Sequence, residues 1–228
     1  MQRDIAAVAF DVDGTLYPNY RFFLRALPQA FFHPRLFAAF AIARKKIRLM
    51  EAAEDSFYDL QARLCAETLG SDKNTVRDLI SRHIYGAWEK LFGGVKIYPY
   101  VKACLSAFRE RGIKLAVLSD FPLGVKLPLL RLGGLWDAEL CSEELGALKP
   151  HPLPFRRLAE SLNLPPQRIL YVGNSIAYDI EGAQNAGMMT ALRGFDLRLP
   201  SGVRPGRLRR NPDFTFNDYR QLQEYVLK

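Results

Sequence analysis

Ile5-Ala6-Ala7-Val8-Ala9-Phe10-Asp11-Val12-Asp13-Gly14-Thr15-Leu16 is the stretch whose reading decides the fold. Six apolar residues in a row read as a short strand buried on both faces, as strands of a parallel sheet are. The acids then mark where the chain leaves the core. In open α/β sheets the carboxyl ends of the strands border the crevice in which ligands bind. Side chains at i and i+2 of an extended chain point the same way, so Asp11 and Asp13 can address one small volume. Such a pair can divide the labour of nucleophile and acid/base, or hold a cation. Asp11-Val12-Asp13-Gly14 also reads as a solvated turn, and the tetrapeptide alone leaves both readings open.

Further along the chain a βα rhythm sets in late. Residues from about 19 to 92 read as helical throughout. Within them, Ser71 is the expected N-cap of a segment running to about Phe92, with Val76, Leu79, Ile80 and Ile84 on one apolar face. A further helix is expected from Pro99 to Gly112. Strands are expected at 113–118, 138–141, 169–172, 188–192 and 214–216, alternating with helices at about 123–132, 152–162, 177–186 and 218–226. That alternation predicts an α/β fold with a Rossmann-like parallel sheet covered by helices on both faces. Residues 1–16 and 98–228 form the expected core, and 17–97 an inserted all-helical cap.

The 228 residues suffice for one substantial core plus an insertion. Their composition is that of a soluble globular chain, and no apolar run approaches the roughly 20 residues of a spanning helix. The first strand begins too early to leave room for a signal peptide, and Cys65, Cys104 and Cys141 are odd in number and widely spaced. Both features point to reduced thiols in the cytoplasm. The net charge of +8 favours anionic partners. No nucleic-acid module is recognisable, so specific nucleic-acid binding is not expected.

Polar residues follow four separate predicted strands: Asp11 and Asp13, Ser119-Asp120, Lys149-Pro150, and Gly173-Asn174 with Asp179. Taken singly each has a bland reading: a helix cap, a surface lysine, an acid in a first helical turn. In this order the chain resembles the haloacid dehalogenase-like superfamily, most of whose members are magnesium-dependent phosphatases. The matching segments are Asp11 to Leu16, Leu118-Ser119-Asp120, Lys149-Pro150-His151-Pro152, and Val172-Gly173-Asn174-Ser175 through Asp179 to Met188.

The resemblance implies roles. Asp11 would attack phosphorus and become an aspartyl phosphate, and Asp13 would protonate the leaving oxygen and then activate water. Ser119 and Asp120 would face the phosphate, and Lys149 would neutralise its charge. Magnesium would be held by Asp11, the Asp13 carbonyl, Asn174 and Asp179. Halide-releasing relatives lack the second acid, because a leaving halide needs no proton, so Asp13 favours phosphate chemistry. The substrate implied is a small phosphorylated metabolite. Two positions depart from the family: Asn174 stands where an aspartate ligand is usual, and Asp120 where many relatives carry asparagine. A binding domain without turnover is therefore an alternative to the phosphatase, and a phosphomutase, which returns the phosphoryl group to a sugar rather than to water, is another.

Phe22, Phe23, Phe31, Phe32, Phe37 and Phe40 crowd the start of the helical region, followed by Arg44-Lys45-Lys46-Ile47-Arg48. This run reads first as a cap packing its own core, and second as an aromatic-basic surface for a membrane, a partner or an apolar substrate. A monomer or homodimer is expected. His33, His83 and His151 have no metal or triad spacing. The Arg-rich segment 193–210 reads as an exposed loop.

Overall fold

The computed structural model describes residues 4–53, 56–194 and 211–228. Six strands form one parallel sheet: β1 (Ala7–Phe10), β2 (Lys114–Ser119), β3 (Ala138–Cys141), β4 (Ile169–Gly173), β5 (Met189–Arg193) and β6 (Phe214–Phe216). Their order is β3-β2-β1-β4-β5-β6. β1 is central, with Ala9 opposite Ala116 on one side and Tyr171 on the other. The direction of winding reverses between β1 and β4, and the carboxyl ends at such a reversal are where doubly wound sheets bind ligands.

The two-residue period of the strands sorts the core into two layers. Val8 and Phe10, Leu115 and Val117, and Leu170 and Val172 pack with α6 (Val101–Glu110) and α10 (Tyr219–Leu227). Ala7, Ala9, Ala116, Leu118 and Tyr171 point the other way, against α8 (Pro152–Leu162) and α9 (Glu181–Asn185). Small alanines on that face let Phe155, Leu158 and Leu162 of α8 lie close to the sheet. Pro152 opens α8 where no amide partner is needed, and His151 caps it by accepting from the Leu153 amide at 3.1 Å.

Between β1 and α6 lie five helices: α1 (Asn19–Phe32), α2 (Pro34–Ile47), α3 (Phe57–Leu69), α4 (Lys73–Ile80) and α5 (Trp88–Phe92). The Tyr98 amide donates to the Leu16 carbonyl at 2.9 Å, so the chain leaves the sheet and returns to it at one point. The apolar interior of this block is continuous with the β1/α6 layer, and Leu36, Phe40, Phe57 and Ile80 join that cluster.

The structure corrects several boundaries. Helix is not continuous from 19 to 92, because Gly70 takes a left-handed conformation that ends α3. Asp72, not Ser71, caps α4 by accepting from the Thr75 amide at 2.9 Å. A wide π turn at Ser81–Tyr85 separates α4 from α5, and another at Ile176–Ile180 precedes α9. α6 starts at Val101 rather than Pro99, behind Tyr100 at φ 65°. The helix expected over 123–132 contracts to the single turn α7 (Lys126–Leu129), since Pro128 can donate no hydrogen bond to an earlier turn and Arg131, left-handed at φ 56°, ends it. Arg193 is the last residue of β5 and stacks on Tyr98, so it does not belong to a loop. The remainder of the expected Arg-rich loop, 195–210, lies outside the described residues.

Candidate active site

Asp11 leaves β1 still hydrogen-bonded into the sheet, its amide donating to the Val172 carbonyl at 2.9 Å. Its side chain is buried between two donors: Thr15 Oγ1 reaches Oδ2 at 2.7 Å and Lys149 Nζ reaches Oδ1 at 2.7 Å. The same ammonium contacts Asp179 Oδ1 at 2.6 Å and the Tyr171 hydroxyl at 3.1 Å. One cation thus serves two buried carboxylates. Burial pushes the Asp11 carboxyl up to about 7; Lys149 opposes this, while Asp179 and Asp13 reinforce it. Burial alone would lower Lys149, but the two aspartates raise it well above the usual lysine range.

Asp13 is the more accessible acid, its side chain 23% exposed against 8% for Asp11. Lys126 Nζ lies 2.6 Å from its Oδ2 and Ser119 Oγ 3.2 Å from the same atom, while the Tyr17 hydroxyl donates to Oδ1. Its main-chain carbonyl accepts from Asn19 Nδ2 at 3.0 Å. The two acids of one turn are therefore held differently. Asp11 is dry and bound to core elements, and Asp13 is held by the end of β2, by α7 and by the residues that lead into α1.

Asn174 follows β4 across the reversal point. Its Oδ1 lies 3.4 Å from Thr15 Oγ1, whose hydroxyl also bonds Asp11. Asp11 Oδ2, the Asp13 carbonyl and Asn174 Oδ1 are hard oxygen donors, of the kind that magnesium accepts. Three carboxylates, Asp11, Asp13 and Asp179, stand against two ammoniums, Lys149 and Lys126, so a further cation fits the charge balance. Asp179 is occupied differently: Oδ1 meets Lys149, and Oδ2 accepts from the Asn174 and Ser175 amides at 3.2 and 3.0 Å. Among the described residues no cluster of three or more His, Cys, Asp or Glu side chains is arranged to hold a metal.

Gly14, at φ +92°, fixes how closely these loops meet. A Cβ there would fall 2.2 Å from Asn174 Nδ2 and 2.6 Å from Asn19 Nδ2. Only glycine satisfies both that backbone conformation and that contact.

A family model described as haloacid dehalogenase-like hydrolase matches residues 5–187. The chain belongs to that family. Over 97% of both chains the hydrolase is 32% identical to a glyceraldehyde 3-phosphate phosphatase of Methanopyrus kandleri. It is 28% identical to a phosphoglycolate phosphatase of Haemophilus influenzae, covering 97% of this chain and 98% of that one. Among solved structures, a 2-haloacid dehalogenase from Pseudomonas syringae pv. Tomato superposes with a TM-score of 0.68 at 25% identity, over 98% of both chains. A phosphatase of the same superfamily from Thermococcus onnurineus gives 0.62 at 20%, over 97% of this chain and 98% of that one, a likeness of fold.

The hydrolase also departs from the roles expected for its residues. Asp120, expected at the phosphate, turns its carboxylate elsewhere: Oδ2 accepts from Arg48 at 2.8 Å and Oδ1 from the Lys149 amide at 3.0 Å. Arg44 lies 4.0 Å from the same carboxylate and forms a close ion pair with Glu143. Burial would raise Asp120, but Lys149, Arg48 and Arg44 together hold it below the usual carboxylate range. Burial pushes Glu143 up to about 7 despite Arg44. Both arginines come from α2 or the residue after it, so the helical block is bound to the end of β2 by charge. The negative charge at 120 thus has its counter-ions inside the chain.

Sequence reasoning missed Lys126, Tyr17, Asn19 and the two arginines as site residues. Lys126 had a signal: one cation in the otherwise apolar Val125–Leu130. It is 1% exposed, and a lysine is buried that far only when paired.

Proposed function

We propose that this hydrolase is a magnesium-dependent phosphatase that cleaves a small phosphate monoester through an aspartyl phosphate on Asp11. The observation that carries this reading is the unlike placement of the two acids, Asp11 dry beside Lys149 and Asp13 partly exposed beside Ser119 and Lys126. An Asp11 oxygen attacks phosphorus as the ester P–O bond breaks, and Asp13 delivers its proton to the leaving alkoxide. In the second half Asp13 takes a proton from water, the water oxygen attacks phosphorus, and the Asp11–phosphorus bond breaks to release inorganic phosphate.

Ser119 donates to a phosphoryl oxygen, and Lys149 and Lys126 offset the charge that develops on both sides of phosphorus. Asp179 orients Lys149 and braces the 174–175 amides. Asp11, the Asp13 carbonyl and Asn174 would hold magnesium, which when bound neutralises charge between nucleophile and phosphate. Residues 17–97 are read as the cap of this domain, the part that would select the substrate. Relatives named for glyceraldehyde 3-phosphate and phosphoglycolate support a small phosphorylated metabolite as substrate.

A carbon–halogen substrate is disfavoured although a haloacid dehalogenase is among the fold's neighbours, because Asp13 and its donors have no work to do for a halide. Asn174 favours one second reading, a domain that binds phosphate esters without turning them over. A generic aryl phosphate assayed with and without magnesium separates the two. Release of phosphate that requires both magnesium and Asp11 supports the enzyme. Binding of the ester with no release supports the second reading.

A further inference from the structure

The run of phenylalanines splits in two. Phe40 is buried, and Phe22 and Phe37 pack on the core, Phe22 with its ring 4.8 Å from that of Phe92. The others do not. Phe23, Leu24, Leu27, Phe31 and Phe32 of α1 are 58–79% exposed, and Tyr20 is 39% exposed. Positions 20, 23, 24, 27 and 31 share one side of a 3.6-residue helix, an arc of about 100°. Phe22 and Ala26 line the opposite, inner side. α1 therefore carries two apolar stripes, and the larger one is uncovered.

Charge says what covers it. From Gly14 to Met50 there are seven Arg or Lys and no Asp or Glu. Arg44 and Arg48 turn inward to Glu143 and Asp120, which leaves Arg21, Arg25, Arg35, Lys45 and Lys46 exposed on α1 and α2. A second copy of the chain would bring this cationic segment against itself. An apolar helix face in a segment whose only charges are cationic is instead the composition of a helix lying in the headgroup layer of an anionic bilayer. No helix among the described residues is long and apolar enough to cross a membrane, so the contact is peripheral. We infer that the outer face of α1 docks this protein on anionic lipid surfaces, with Phe23, Leu24, Leu27 and Phe31 entering the headgroup layer.

The test is flotation of the full chain with vesicles of phosphatidylcholine alone and of phosphatidylcholine with phosphatidylglycerol at about two to one. Flotation with the mixed vesicles only, weakened by high salt, is expected. Leu27→Ser/Phe31→Ser lowers the partition coefficient by about tenfold or more while the circular-dichroism melt is unchanged. Lys45→Gln/Lys46→Gln, which leaves the apolar stripe intact, lowers it less. Absence of flotation overturns the inference, as does flotation indifferent to Leu27→Ser/Phe31→Ser. A stable dimer in sedimentation that the same substitutions dissociate assigns the face to a second copy and overturns it too. None of these readouts depends on catalysis.

Discussion

The ends of β1 and β2 lie side by side, and each presents a buried aspartate, yet the two are used in opposite ways. Asp11 is held by Thr15 and Lys149, partners from the core, and its carboxyl is pushed up. Asp120 is held by Arg48 and the Lys149 amide, with Arg44 close by, and its carboxyl is held down. In the proposed reaction, a carboxylate that shares its one cation with a second acid can share it with an incoming phosphate. One saturated with guanidinium is a structural tie. On the proposed function, the difference separates chemistry from attachment.

The comparison breaks most visibly at the nucleophile. Asp11→Asn should lower phosphate release by about 10⁴-fold or more, with the ester still bound, as measured by single-turnover kinetics. Full activity in that variant would remove the proposed role. Lys126→Met should reduce kcat by about 10²–10³-fold, with partial recovery in Lys126→Arg; a purely structural lysine would show up in the melt and leave kcat alone. Asn174→Asp should cut the magnesium concentration for half-maximal activity by about tenfold, because a formal charge replaces an amide dipole at a hard cation. An unchanged requirement would take Asn174 out of the ligand set.

At β2 the expected losses are of stability. Asp120→Asn should cost about 1–3 kcal/mol in denaturant unfolding, with KM for the ester unaltered. A raised KM at unchanged stability would move Asp120 to the chemical side of the comparison. Glu143 sharpens it through pH. Its folded-state pKa lies above the ordinary 4.5, at about 7, so the folded state binds the extra proton between those values. Stability from this group is complete below pH 4.5 and declines as pH rises through about 7, by up to about 3 kcal/mol. Glu143→Gln should flatten that slope in chemical melts across the same window.

The sheet was legible because its signal is local. Uninterrupted apolar runs such as Leu115–Leu118 and Leu170–Val172 admit few other readings, and the polar residues at their ends stood out against them. Asp11, Asp13, Ser119, Asn174 and Asp179 could be gathered from sequence because each follows a strand that the sheet carries to the same edge; Lys149, eight residues past the end of β3, was placed only by the motif it belongs to. What stayed hidden depends on contacts distant in the chain. Nothing near Arg44 announces that it pairs with Glu143, 99 residues away. The split between Phe40 inside and Phe31 outside is likewise a property of packing. Helix ends were blurred where a single left-handed residue, Gly70 or Tyr100, overrode an apolar period that continued past it.

Gly14 carries a consequence for how this protein can change. Its missing side chain leaves the space that the amide groups of Asn19 and Asn174 occupy, so the turn at 14, the start of α1 and the loop after β4, up to 160 residues apart, form one interlocked contact. Substitutions at positions 14, 19 and 174 will therefore not add. A change at 174 that is harmless beside glycine will be costly beside any larger residue at 14, and the cost will shift again with the side chain at 19. The three positions form one unit of inheritance, which a library randomised at one of them at a time would miss.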